Sequence, residues 1–165
     1  MRVSAYRTDI DNLIAFDINT FLAGNINEAE LEGVEFELNT KLIGWNLGLN
    51  LDILSATDTS DPDFEVELDD RAEQSISINA QRDFGKLNIG FDLRGEANRF
   101  DRSGIELDSY ALFDISASYE IIEGLSLSAS VDNVFDKDYT VNLVSDTESF
   151  NTEGRQWKAT LRYNF

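Results

Sequence analysis

The chain has 165 residues, with 13 Lys+Arg against 32 Asp+Glu, so its formal charge is −19. It has no Cys and no His, which excludes disulfides, thiolate nucleophiles and the usual zinc ligands and catalytic bases. The acidic balance argues against nucleic acid as a partner, because phosphate binding needs a basic face. A hydrophobic content of 42% is too high for a disordered chain. Composition gives no support for catalysis on carboxylates, and we expect no enzyme.

Alternation of apolar and polar residues predicts about eight β-strands, two of which precede the first short turn. Residues 2–16 change parity midway, which predicts a β-bulge. Residues 23–42 set Val34, Phe36 and Leu38 against glutamates on the other parity but begin polar on both faces. Because successive side chains of a strand point to opposite faces, such segments have one apolar and one polar face.

The remaining six predicted strands alternate more regularly. All of the predicted strands are longer than the ordinary strand of about 5–6 residues. The six cover residues 45–53, 72–84, 87–94, 111–119, 125–132 and 156–165.

The predicted connections are of two kinds, which alternate strictly along the chain. Very short turns centre on Gly44, Gly85 and Gly124, as tight hairpins require. All short turns therefore lie at one end of an antiparallel, up-and-down sheet, and all long loops lie at the other. The long polar connections cover residues 17–22, 57–70, 99–108 and 135–154.

Long alternating strands, sorted loops and terminal aromatic residues together are typical of a transmembrane β-barrel. No apolar run is long enough for a membrane helix, and the first residues lack the apolar stretch of a secretory signal. Two aromatic belts at the membrane interfaces are expected. Near the short turns these are Trp45, Phe84, Tyr119, Tyr163 and Phe165; near the long loops they are Phe16, Phe100, Tyr110 and Trp157.

A soluble barrel or sandwich with its apolar face inward would show the same alternation. Arg82 and Gln74 fall on the predicted lipid face and count slightly against a membrane protein. Arg82, however, lies beside a short turn, from which its long side chain can reach the membrane interface.

The end of the chain resembles a known family. Asn133, Phe135, Asp136, Lys137 and Tyr139 are similar to a motif near the end of TonB-dependent outer-membrane receptors. Gly154 and Arg155 resemble the element that follows it, and a last strand ending in Phe165 completes the pattern. Within the family, the spacing most resembles that of vitamin B12 receptors, and ferric-siderophore receptors share these elements.

The resemblance implies an integral outer-membrane protein of a Gram-negative cell, whose parent imports cobalamin or a ferric siderophore. Such transporters have 22 strands around a plugged lumen. Residues 1–165 would then be the C-terminal portion of the barrel, without the plug domain, the TonB-contacting segment and the signal peptide. Implied partners are membrane lipid, lipopolysaccharide, the barrel-assembly machinery through Phe165, and TonB only through the missing N-terminal part.

Two alternatives remain open at this point. One is a self-contained eight-stranded outer-membrane barrel with a structural or adhesive role, whose polar face would fill the interior. The other is a soluble acidic β-barrel that binds a small apolar ligand.

The acidic loop 57–70 contains Asp58, Asp61 and Asp63 as weak candidates for Ca²⁺ ligands, because hard cations take several carboxylate oxygens. It lacks the spacing of an EF-hand, so a solvated loop is the simpler interpretation. No other cofactor is expected. Asn133 and Asp136 are predicted to organise the turn after the seventh strand through side-chain hydrogen bonds.

Overall fold

The computed structural model describes residues 1–17, 22–61, 63–68, 71–101, 105–145 and 148–165. Within these ranges no helix is long and apolar enough to cross a membrane. The strands are β1 (Arg2–Asp17), β2 (Leu22–Leu42), β3 (Trp45–Asp61), β4 (Phe64–Glu67), β5 (Ala72–Phe84), β6 (Leu87–Phe100), β7 (Glu106–Leu107), β8 (Tyr110–Ile122), β9 (Leu125–Asp132), β10 (Thr140–Ser145), β11 (Glu148–Asn151) and β12 (Gln156–Tyr163).

Eight strands form one antiparallel sheet in the order β1-β2-β3-β5-β6-β8-β9-β12. The short strand β4 pairs with β3, β7 pairs with β6, and β10 and β11 form a separate hairpin. Each long strand thus pairs with the next one along the chain, which confirms the up-and-down, all-β prediction. In the described residues β1 and β12 pair with one neighbour each and not with each other, which argues against a self-contained closed barrel.

The short turns lie where the glycines predict them. Gly44, Gly85 and Gly124 all have positive φ, at 82°, 68° and 80°. Ile43 also has a positive φ of 52°, so two successive left-handed residues join β2 to β3, as the type I′ hairpin turn requires.

The prediction of long loops is wrong in extent for three of the four long connections, because the strands continue into them. The connection predicted at 17–22 agrees with the structure, in which β1 ends at Asp17 and β2 begins at Leu22. The acidic loop 57–70 is largely strand, since β3 runs to Asp61 and β4 follows after a turn. The segment 135–154 contains the β10–β11 hairpin, and β6 extends to Phe100.

The outer part of β3 was underestimated because its residues 55–61 are mostly polar on both faces. The face that is apolar elsewhere in the sheet becomes polar in the same rows of β1 and β2, where Ser55 pairs with Glu32. Arg7 pairs in register with Glu32 on the same side of the sheet on which Ala5 pairs with Val34. Arg7 also forms ion pairs with Glu32 at 3.0 Å and with Glu30 at 2.5 Å. The hydrogen-bonded ladder therefore continues past the point where one face stops being apolar, and period-two alternation of hydrophobicity cannot detect that extension.

The predicted bulge in β1 is also absent. Asp11 pairs with Glu28 and Leu13 pairs with Ile26, so the register is the same on both sides of Asn12. Asn12 instead takes a left-handed φ of 59°, which Asn tolerates better than most residues.

The apolar side chains form rows on one face of the sheet. Directly paired residues of adjacent antiparallel strands point to the same side, and the register joins Leu49, Ile78, Leu93 and Phe113 in one such row. Among the described residues, the buried hydrophobic side chains are Ala29, Ala56, Leu107 and Leu112. By contrast, Ile53 is 61% exposed and Leu161 66% exposed. A soluble barrel would bury such residues in its centre, so this arrangement argues against one.

Candidate functional site

The turn after β9 is organised by Asn133. This residue is buried and has a left-handed φ of 53°. Its side-chain Nδ2 donates a hydrogen bond to the Lys137 carbonyl at 2.9 Å, and its Oδ1 accepts one from the Lys137 amide at 2.9 Å. The side chain therefore closes residues 133–137 into a loop and replaces the strand pairing that ends there.

The neighbouring strand β8 anchors this turn. The Asn133 amide donates to Oδ1 of Asp114 at 2.6 Å, and the Val134 amide donates to the Phe113 carbonyl at 2.8 Å. The other oxygen of Asp114 lies 3.5 Å from Arg94 Nη2, within ion-pair distance on the polar face. Asp114 thus connects the turn to the sheet.

Asp136 brings the two parts of the sequence motif together. Its Oδ1 accepts a hydrogen bond from the Arg155 amide at 2.8 Å, and its Oδ2 lies 3.4 Å from Arg155 Nη2. A Cβ at position 154 would lie 2.7 Å from Asp136 Oδ1, so any larger residue than Gly154 would require the Asp136 carboxylate to shift. The hydrogen bond from the Arg155 backbone, assisted by the Arg155 charge, holds the pKa of Asp136 below its usual value.

The two aromatic members of the motif contact opposite faces of the sheet. Phe135 is 75% exposed, and its ring centroid lies 5.7 Å from that of Phe113 on the apolar face. Tyr139 stacks on Tyr110 with a centroid distance of 4.1 Å. Tyr110 pairs in register with Glu96 on the polar face, so its expected place in a lipid-facing belt is wrong.

Arg99 is the residue that the sequence did not reveal. It is buried, and its guanidinium donates to the carbonyls of Thr140 at 3.0 Å and Val141 at 3.3 Å. Its Nε also lies 3.2 Å from a Glu96 carboxylate oxygen, and its Cζ lies 4.8 Å from the Tyr110 ring centroid. Arg99 fixes the start of β10 against β6. No spacing or motif distinguishes this arginine from other charged residues in the polar segments.

The residues predicted to form membrane-interface belts mostly project from the apolar face. Trp45 packs edge-on against Phe84 at 6.2 Å, and the Tyr163 and Phe165 rings lie 6.1 Å apart. Tyr119 and Trp157 are exposed, the latter at the long-loop end of β12. Phe16 lies in β1 near the long-loop end. The assignment of these side chains to membrane interfaces stays a prediction.

The candidate calcium ligands are engaged locally. Asp58 Oδ1 accepts from the Ser60 amide at 2.9 Å, and Asp61 Oδ1 accepts from the Asp63 amide at 2.9 Å. No group of three or more carboxylates is placed to hold a metal ion within the part of the chain that the structure describes. Calcium binding by this segment stays a prediction.

The described residues form a sheet to which the connection after β9 is anchored. Hydrogen bonds and ion pairs gather at 133–137, at Arg155 and at Arg99, and each fixes the segment after β9 to the sheet. These groups bond to one another and to backbone, as structural networks do. Their role is to position the long connection between β9 and β12.

The comparisons with known proteins agree with this architecture. Residues 1–134 match the family model described as TonB dependent receptor-like, beta-barrel. The vitamin B12 transporter BtuB of Vibrio vulnificus is 30% identical over 99% of this chain, which corresponds to 27% of the transporter. The BtuB of Photobacterium profundum is 28% identical over 99% of this chain.

A solved structure has the same fold. The ferripyoverdine receptor of the outer membrane of Pseudomonas aeruginosa superposes with a TM-score of 0.78 at 21% identity, covering 99% of this chain and 24% of the receptor. The chain thus spans about a quarter of the length of the proteins that it matches. Its sheet corresponds to part of the wall of an integral outer-membrane barrel, and the chain belongs to the TonB-dependent receptor β-barrel family.

Proposed function

We propose that the protein of which this chain forms part of the barrel imports a corrinoid, vitamin B12, across the outer membrane. The observation that carries this proposal is the alignment with vitamin B12 transporters over 99% of the chain. Within the described residues, the sheet supplies what such a wall needs: an exposed apolar face, a polar face and a long connection fixed at its base by Arg99 and Asp136.

A second candidate is import of a ferric siderophore. It is favoured by the similarity of the fold to the ferripyoverdine receptor and to the ferric yersiniabactin uptake receptor FyuA of Yersinia pestis, which has a TM-score of 0.79 at 17% identity. Identities this low support the fold and do not select the ligand. Because the identity to the B12 transporters is higher, we rank import of a corrinoid as the first candidate.

We also propose three interactions for the whole protein. Energy for import would come through TonB, as the family description implies. Recognition by the barrel-assembly machinery would use Phe165, which is fully exposed two residues after the last strand. Contact with lipopolysaccharide would involve the charged outer parts of β1 and β2, which lie nearer the long-loop end of the sheet than the apolar rows do.

Uptake of radiolabelled cyanocobalamin tests the proposed ligand. The protein is produced from its native gene in cells that lack their own B12 transporter and contain TonB. We expect accumulation of label that excess unlabelled cobalamin prevents and that is lost when TonB is removed. A ferric-siderophore uptake assay runs in parallel.

The two assays separate the candidates. Cobalamin uptake that requires TonB supports the first proposal. Absence of cobalamin uptake in cells where the protein is folded in the outer membrane, together with uptake of labelled iron, would replace it with the second candidate.

A further inference from the structure

Arg82 is a charged residue on the apolar face of the sheet. It lies near the end of β5, three residues before Gly85 of the short turn, and pairs in register with Ile89. The same parity of β5 carries Ile78 and Ala80. An arginine in such a row is costly in contact with lipid unless its charged group reaches the interface or meets a partner.

The guanidinium group lies against the short turn between β2 and β3. Its Cζ is 4.6 Å from the Phe84 ring centroid and 5.9 Å from the Trp45 ring centroid. A Cβ built on Gly44 would lie 3.3 Å from Nε, so the group also approaches the turn backbone. Two aromatic rings and a glycine turn therefore hold the cation at the short-turn end of the apolar face.

Arg82 has no anionic partner among the residues that the structure describes. Other arginines in these ranges, such as Arg94 and Arg155, reach a carboxylate within 4.0 Å. The Arg82 side chain also donates no hydrogen bond to a protein acceptor in the same ranges, although the chain has 32 Asp+Glu. The N–H donors of Arg82 therefore face the medium that surrounds the apolar face at the short-turn end of the sheet.

In an outer-membrane barrel the short turns lie on the periplasmic side, and aromatic side chains mark the headgroup level. The anion available at that depth is the phosphate diester of a glycerophospholipid. A guanidinium offers two parallel N–H donors to phosphate oxygens, and such charge-assisted bonds are stronger than neutral ones.

We propose that Arg82, Trp45 and Phe84 form a binding site for the phosphate diester of a glycerophospholipid in the periplasmic leaflet of the outer membrane. Arg82 supplies the donors to the phosphate, and the two rings hold the guanidinium at the headgroup level. The site depends on the membrane orientation of the apolar face and not on which ligand the receptor imports.

Native mass spectrometry of the protein, purified in detergent as its native gene produces it, tests the site. The probes are dioleoyl phosphatidylglycerol, dioleoylglycerol, which has the same chains without phosphate, and inorganic phosphate. We expect Arg82→Gln to weaken binding of the phosphatidylglycerol about tenfold, the loss of roughly one charge-assisted hydrogen bond. Dioleoylglycerol and inorganic phosphate should bind the unaltered protein more weakly than phosphatidylglycerol.

Arg162→Gln is the matched control. Arg162 lies at the same end of the sheet in β12 but on the opposite parity from Leu161 and Tyr163, and it has no carboxylate partner in the described ranges. The Arg162→Gln variant removes one positive charge, as Arg82→Gln does, and should leave lipid binding unchanged. If Arg82→Gln does not fold, as judged by heat-modifiable migration on gels, Arg82→Lys replaces it. Lysine keeps the charge and loses the paired donors, so severalfold weaker binding is expected.

Four outcomes would overturn the proposal. The first is equal phosphatidylglycerol binding by the folded Arg82 variant and the unaltered protein, and the second is a loss of binding with Arg162→Gln as large as with the Arg82 variant. The third is binding of dioleoylglycerol as strong as that of phosphatidylglycerol. The fourth is displacement of phosphatidylglycerol by an equal concentration of inorganic phosphate. The last result would identify a site for free phosphate instead.

Discussion

Asn133 combines a left-handed backbone, burial and two side-chain hydrogen bonds to Lys137. Asn is among the few residues other than Gly that take this conformation readily, and its amide supplies both a donor and an acceptor. The motif residue is therefore explained by local chemistry, as its type and position predicted. Its role is to end β9 and begin the long connection.

Replacing Asn133 by Ala should destabilise the folded protein by about 1–3 kcal/mol, because two side-chain hydrogen bonds to the Lys137 backbone are lost. The measurement is the free energy of unfolding in urea for the protein folded in detergent. Asn39→Ala is the control, since Asn39 is exposed and its side chain bonds only to Glu37 among the described residues. Equal stability of the two variants would contradict this role.

Asp136 gives the turn a pH dependence. Because Arg155 lowers the pKa of Asp136, the ionised carboxylate stabilises the fold above its usual pKa near 4. That contribution is lost as the pH falls through the lowered pKa. We expect the difference in urea midpoint between the unaltered protein and Asp136→Asn to be largest near neutral pH and to shrink below about pH 4.

Asp138→Asn is the control for this prediction, because Asp138 is an exposed carboxylate two residues away. It should show a smaller midpoint difference over the same pH range. A difference for Asp136→Asn that does not change with pH would refute the linkage to Arg155.

At the scale of elements, the apolar halves of the strands were predictable and their outer extensions were not. Alternation identified β5 and β8 nearly to their ends because one face contacts an apolar medium and the other does not. It missed the outer third of β3, where both faces are mostly polar and the pairing with β2 and β4 defines the strand. The β10–β11 hairpin escaped prediction because its strands are only six and four residues long, too short for a clear alternation.

Arg99 connects β10 to the sheet through the backbone carbonyls of Thr140 and Val141. Sequence patterns could not identify this contact, because it joins segments 41 residues apart and uses carbonyl groups that every residue has. The contact sets where the connection after β9 begins to leave the wall.

Replacing Arg99 by Met should therefore loosen the base of the β10–β11 hairpin. We expect amide hydrogen exchange, measured by mass spectrometry, to become at least about tenfold faster in a peptide covering residues 139–145, as loss of local hydrogen bonding predicts. Arg94→Met, which removes an exposed ion pair on the polar face, should leave that peptide unchanged. Unaltered exchange in the Arg99 variant would show that other contacts hold the hairpin.

For the whole molecule, the sequence predicted the order of the strands, the end at which the short turns lie and the face that is apolar. The relation of the sheet to its surroundings depends on surfaces outside the described residues, since β1 and β12 each leave one edge unpaired. A transmembrane barrel tolerates no such edges in hydrocarbon. The sheet therefore requires further strands at both sides, as expected for a chain that covers about a quarter of its relatives.

The central claim is that the apolar face of the sheet contacts acyl chains. To test this, single cysteines are placed in turn at residues 75–80 of β5 and labelled with a nitroxide. The protein, produced from its native gene, is reconstituted in phospholipid bilayers. The measurement is the collision rate of each nitroxide with oxygen and with a water-soluble nickel complex. We expect high oxygen accessibility at Ile76, Ile78 and Ala80, and low oxygen accessibility at Ser75, Ser77 and Asn79. High accessibility to the nickel complex at Ile78, or oxygen accessibility without a period of two, would contradict it.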